Sequence, residues 1–222
     1  MRKNNLIILI IIFLSFSVGI YLYPQMPEKM VSHWNTEGQV DGYISKFWGL
    51  FLMPFISVAL WLLFVLIPMI DPLKENIEKF RKYFDKFITI IILFLFYIYF
   101  LTVAWNRGFR FDLPQLLAPA FGVIFYYSGV LTENAKRNWF IGIRTPWTLS
   151  SEIVWEKTHK LGGKLFKASG VIAFLGVFFN DLAFFLVLVP VILVTIYAFV
   201  YSYLEYKKEK ESAENEKQGS KV

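Results

Sequence analysis

Two imidazoles, a pair of adjacent serines and a stripe of lysines are the side chains of this sequence best suited to chemistry. His33 sits in the segment PQMPEKMVSHWNTEGQVDGYISK with Glu28, Glu37 and Asp41 nearby. One imidazole among three scattered carboxylates lacks the tight ligand spacing of a zinc site, so no metal is assigned there. His159 ends the segment NWFIGIRTPWTLSSEIVWEKTH. Ser150 and Ser151 stand two helical turns before it on one helix, too far for a serine to pass its proton to the imidazole. There is no H-E-x-x-H motif, which removes a zinc metalloprotease. Cysteine is absent, which removes disulfides, thiolate ligands and a thiol nucleophile. The expectation is a protein that is not an enzyme and holds no cofactor.

The elements that position these residues are apolar spans. The chain has 222 residues, is 56% hydrophobic and only 18% charged, against roughly 25% charged in a soluble domain. Five runs carry no ionisable residue: Leu6–Tyr23, Phe47–Ile70, Phe87–Trp105, Leu113–Leu131 and Leu182–Tyr203, of 18, 24, 19, 19 and 22 residues. A bilayer crossing takes roughly 17–25. A sixth run, Ala168–Asn180, has 13 residues, and crosses if Lys164 and Lys167 snorkel and let the helix begin near Leu161. Arg2 and Lys3 before the first run resemble a secretory signal, but its length and the lack of a clear A-x-A site favour a retained span.

Basic residues give the orientation. With six spans and both termini cytoplasmic, 19 Lys and Arg lie inside and four outside (Lys29, Lys46, Arg107 and Arg110). The fold class is therefore an all-α integral membrane protein of six transmembrane helices in the cell membrane. His33 and His159 fall on opposite sides and cannot share a metal or a proton relay. No charge lies inside the long spans, which argues against an ion-coupled transporter. Gln115, Thr102 and Thr195 are the polar residues left for a passive transporter or channel, the rival reading.

The organisation divides into residues 1–70, two spans with the outer loop 24–46; a linker 71–86, which reads as a short surface helix carrying Phe80, Tyr83 and Phe84; residues 87–131, two further spans; residues 132–204, a patterned inner segment with two spans; and a tail, 205–222, with the composition of a disordered segment. In the outer loop, Pro24 and Pro27 end the first helix. Glu28–Trp34 fits two helical turns lying on the bilayer, with Met30 and Trp34 facing down. Asn35–Gly38 and Asp41-Gly42 are turns, and Asn180-Asp181 is a tight turn. The loop serves either partner recognition or interfacial packing of Trp34, Tyr43 and Trp48. In the inner segment, Gly142–Trp147 is an ordered turn. Ser150 or Ser151 caps a helix that runs to Phe166 along the headgroups. Its lipid-facing stripe is Lys157, Lys160, Lys164 and Lys167, which would attract anionic lipid or an acidic cytoplasmic protein rather than nucleic acid.

These two segments resemble the SdpI family of membrane immunity proteins, including that family's N-terminal domain of unknown function. The outer loop does so at Pro24, Pro27, His33, Asn35, Gly38, Asp41 and Lys46. The inner segment does so at Asn138, Gly142, Arg144, Thr145, Pro146, Trp147, Thr148, Leu149, Ser150, Trp155 and His159. The resemblance implies a multi-pass protein that protects against a secreted peptide toxin and signals by holding a cytoplasmic repressor at the membrane. Carried over, the outer loop with Trp34 meets the toxin. The inner segment holds the repressor or serves as a structural clamp. Arg144 is the expected key residue there, bridging to Glu152 or to a lipid phosphate.

Overall fold

The computed structural model describes residues 3–179 and 182–219, and places six long helices where the apolar runs demanded them. They are α1 (Lys3–Leu22), α2 (Lys46–Ile70), α3 (Lys74–Asn106), α4 (Leu113–Asn134), α6 (Glu152–Leu175) and α7 (Ala183–Gly219), with a short α5 (Pro146–Ser150) before α6. Each of the six is long and apolar enough to cross a membrane. The chain is a multi-pass protein of the cell membrane. Large apolar side chains stay exposed along the helices, among them Phe13, Phe55, Leu93, Phe185 and Leu193. Against lipid these are satisfied surfaces, since a tail is as apolar as leucine.

The helices form two groups of three. α1, α2 and α3 pack on one another, α4, α6 and α7 do the same, and α3 against α4 joins the groups. Ile8, Ile12, Ile77, Phe84, Ile88 and Ile92 make the core of the first group. Glycine sets the closest contact in the second. A Cβ on Gly129 would stand 2.4 Å from the Gly163 carbonyl oxygen, and one on Gly122 2.8 Å from that of Gly170. The two pairs recur seven residues apart on antiparallel helices, a small-residue seam that lets backbones meet where no hydrophobic effect drives helices together.

Several elements depart from expectation. The fifth span is neither the bare 13-residue run Ala168–Asn180 nor a helix that begins near Leu161. α6 is continuous from Glu152, so the amphipathic segment to Phe166 is the first half of the span rather than a helix lying along the headgroups. The linker 71–86 is likewise no separate surface helix. Lys74 onward runs into α3 across a kink at Phe80, whose φ of −118° and ψ of 16° leave the helical region. Phe80 and Phe84 are 1% exposed in the core; their burial anchors the segment. The tail does not end in disorder at Glu205 either, because α7 extends to Gly219. Asn180-Asp181 lies outside the described residues.

The outer loop holds the largest correction. Glu28–Trp34 is not helical: Lys29–Trp34 (β1) pairs antiparallel with Val40–Ser45 (β2) in a two-stranded hairpin. Met30 does face inward, fully buried among Met26, Leu50, Tyr99 and Val103. The same inward position suits strand and helix, and pairing decides between them.

Substituting Gly129→Val should place a branched side chain against the α6 backbone. Overpacking of this kind costs about 1–3 kcal/mol. A fall in the melting temperature of the detergent-purified protein is expected, with a smaller fall for Val123→Ala, at a 48% exposed position on the same helix; equal behaviour of the two would remove the seam.

Candidate functional site

The hairpin is tied down at base, edge and tip. At its base the Lys46 ammonium lies 2.7 Å from Glu28 and 4.9 Å from the Tyr23 ring centroid, while the Lys46 amide donates to the Glu28 carbonyl. Pro27 is the exposed residue leading into this base. Along its edge, Asn106 at the end of α3 acts as a surrogate strand: its carboxamide oxygen accepts from the Val31 amide at 2.8 Å and its nitrogen donates to the Val31 carbonyl at 3.0 Å. An edge strand's unpaired groups are thereby satisfied where the chain meets the membrane. At the tip, the Asn35 side-chain oxygen accepts from the amides of Glu37 and Gln39, and Gly38 takes a φ of +75°, the left-handed turn conformation that glycine tolerates.

His33 and Asp41 form one exposed hydrogen-bonded pair, Nδ1 to carboxylate, at 2.5 Å. Gly42 makes room for it, since a Cβ there would stand 2.7 Å from that of His33. Trp34 meets Trp105 edge to face at 5.5 Å. His33, Trp34, Asn35 and Asp41 together line a cleft of about 480 Å³, closed on the other side by Pro114 and Leu117 of α4 and Phe184 of α7. Of the seven residues expected to recognise a partner here, four line the cleft, while Pro27, Gly38 and Lys46 shape the hairpin. Phe184 and Pro114 went unnoticed in the sequence because nothing local links them to residue 33. Among the described residues no group of three His, Cys, Asp or Glu could hold a metal.

On the opposite face the patterned inner segment folds over the ends of the helices. Asn138, fully buried, donates to the carbonyls of Lys136 and Ile141 and accepts from the amides of Phe140 and Ile141. One side chain thus satisfies four backbone groups. Trp155 donates to the Ala135 carbonyl and stacks on His159 at 3.8 Å. Assigned from its partners, His159 is a neutral ring: Nδ1–H donates to the Trp155 carbonyl at 2.9 Å and Nε2 accepts from the Ile143 amide at 3.0 Å. Gly142 takes a φ of +114°, and a Cβ there would stand 2.4 Å from that Nε2.

Thr145 caps α5 in a reciprocal box with Thr148 and binds the Ser202 hydroxyl of α7 at 3.0 Å. Pro146 opens α5, and Trp147 packs on Phe199 and Tyr203 of α7. Ser151, not Ser150, is the cap of α6. The buried Asp71 carboxylate accepts from the amides of Leu73 and Trp139 at 2.6 and 2.9 Å, joining the α2–α3 turn to this segment.

Two expectations fail here. Arg144 does not bridge to Glu152. Its Nη1 donates to the Trp139 carbonyl at 2.7 Å, and it is Arg137 that approaches Glu152, at 3.6 Å. Nor do the four lysines make one lipid-facing stripe. Lys157 reaches Glu205 of α7 and Lys167 reaches Glu133 of α4, both at 2.7 Å. Lys160 and Lys164 line a polar cleft with Glu133, Glu156 and His159. The i, i+3, i+7, i+10 spacing drifts around the helix, so its ends turn toward different neighbours.

Two family models match the two segments described. Residues 134–202 match the SdpI/YfhL protein family, and residues 10–58 match DUF1648, a domain of unknown function. Over that inner segment the chain is similar to the SdpI/YfhL protein family. The first match covers the inner segment, α6 and much of α7; the second covers the hairpin with most of α1 and the first half of α2. Across 207 residues, 93% of this chain and 97% of the relative, it is 28% identical to Immunity protein SdpI of Bacillus subtilis (strain 168). No solved structure matches it.

Replacing Asn138 by Ala leaves buried amides and carbonyls without partners, a penalty of about 1–3 kcal/mol for each group stranded. Asn138→Ala and Gly142→Ala should each lower the melting temperature of the purified protein far more than Arg144→Ala. Thermal melts in detergent compare the three.

Proposed function

We propose that this protein protects its cell against a secreted antimicrobial peptide, which it meets at the hairpin-face cleft. The carrying observation is the hairpin itself: a rigid element that projects an exposed His33–Asp41 pair over an apolar cleft. A few placed polar groups on an apolar cleft suit recognition of an amphipathic ligand. End-to-end similarity to a protein named for immunity supports the reading. The hairpin faces outward in this proposal, because that orientation keeps 19 of 23 Lys and Arg on the cytoplasmic side.

Signalling to a cytoplasmic repressor is the finer proposal, and the inner face offers it a restricted surface. Lys136, Lys157 and Lys167 are engaged by Glu156, Glu205 and Glu133. Lys160 and Lys164 are left for an acidic partner. Transport draws less support, since Gln115 donates to the Val177 carbonyl and the Thr195 hydroxyl to that of Val191.

The cysteine-free chain allows a direct test of orientation. A Thr36→Cys variant should react with a membrane-impermeant maleimide in intact cells, and Ser212→Cys only after lysis; the reverse pattern sinks the assignment of faces. For the function, a sensitive host is challenged with supernatants of peptide-producing strains. The intact protein should raise survival, and His33→Ala and Asp41→Asn should lower it by about tenfold or more at unchanged protein level, the scale on which loss of a key interfacial contact acts. Unchanged survival for both variants would move recognition off the hairpin.

A further inference from the structure

Between the two helix groups, on the face opposite the hairpin, lies a second cleft of about 600 Å³. Its walls come from five helices: Phe64 of α2, Phe84 and Phe87 of α3, Phe125 of α4, Phe166 of α6 and Phe199 of α7. Along α4 it runs from Ile124 to Thr132. That is eight residue steps, or about 12 Å of helix axis, close to the roughly 15 Å of one leaflet's hydrocarbon. Its roof is the turn from Phe140 to Thr145. Phe199 is 52% exposed at the side, so the wall it forms borders the lipid.

Arg144 is the one charged residue among the described residues lining this cleft. Its Nη1 is held by the Trp139 carbonyl, and its other guanidinium donors have no partner among the described residues. An exposed guanidinium at the headgroup end of a phenylalanine-lined slot one leaflet deep matches the two parts of an anionic phospholipid. The fork pairs with phosphate through charge-assisted bonds, and the acyl chain fills the slot.

We propose that the cleft between the two helix groups is a binding site for one anionic phospholipid of the adjoining leaflet, its phosphate on Arg144 and an acyl chain between Phe84, Phe125 and Phe199. The ligand would come from the membrane itself, and it would bridge α2 and α3 to α6 and α7 at a place where α3 and α4 are the helices that join the groups. This site is separate from the hairpin-face cleft, and its test does not depend on immunity.

The test is native mass spectrometry of the intact, detergent-purified protein after incubation with palmitoyl-oleoyl phosphatidylglycerol or with phosphatidylcholine of the same chains. One phosphatidylglycerol should be retained with about tenfold preference over phosphatidylcholine, and Arg144→Gln should reduce the preference to about twofold or less, as expected when a charge-assisted contact is lost. Ala198→Phe, which fills the slot, should remove the retained lipid of both kinds. Ala198 is 3% exposed, so Ser128→Phe on the α4 wall serves as a second plug should the first not fold. Equal retention of the two lipids by the unmodified protein, an unchanged preference in Arg144→Gln, or full retention in a folded plug variant would overturn the site.

Discussion

A bilayer offers a backbone amide no water, and the architecture follows from that absence. Inside the six spans the helical ladder meets the demand. Where the chain must turn at the membrane edge, side chains take over. Asn106 acts as a third strand for the hairpin, Asn138 satisfies four backbone groups of the inner segment, and His159 holds one more amide. The most patterned residues of the sequence therefore serve backbone satisfaction first.

This division gives the two faces different characters. On the hairpin face the tying groups lie at base and edge, which frees His33 and Asp41 to stand exposed over a cleft. On the other face the signature side chains are turned inward: Asn138, Thr148, Trp155 and His159 are essentially buried. Trp155 ties α6 to the residue that follows α4, Thr145 ties the segment to α7, and Asp71 ties it to the α2–α3 turn through the Trp139 amide. Arg144 is the exception, exposed and only partly engaged.

The two family matches fall on either side of the same division. The 10–58 match lies in the group of α1, α2 and α3, and the 134–202 match lies mainly in the group of α4, α6 and α7. Each half thus carries one patterned segment, and the cleft that Arg144 overlooks lies between them.

The number of spans was legible in the sequence, because a run of residues without charge is a local property that the thickness of a membrane makes decisive. So were the turn at Gly142 and a serine cap for α6, each set by neighbours in the chain; α5 was not, since the turn expected over Gly142–Trp147 gives way to helix at Pro146. The hairpin was not: Lys29–Trp34 satisfies helical and extended spacing alike, and the choice fell to Asn106, 75 residues away. Nor could spacing tell that Lys157 and Lys167 point at acids on different helices, or that glycines 122 and 129 meet 170 and 163. Those facts depend on which helices become neighbours, and in lipid that is decided by how closely particular backbones fit.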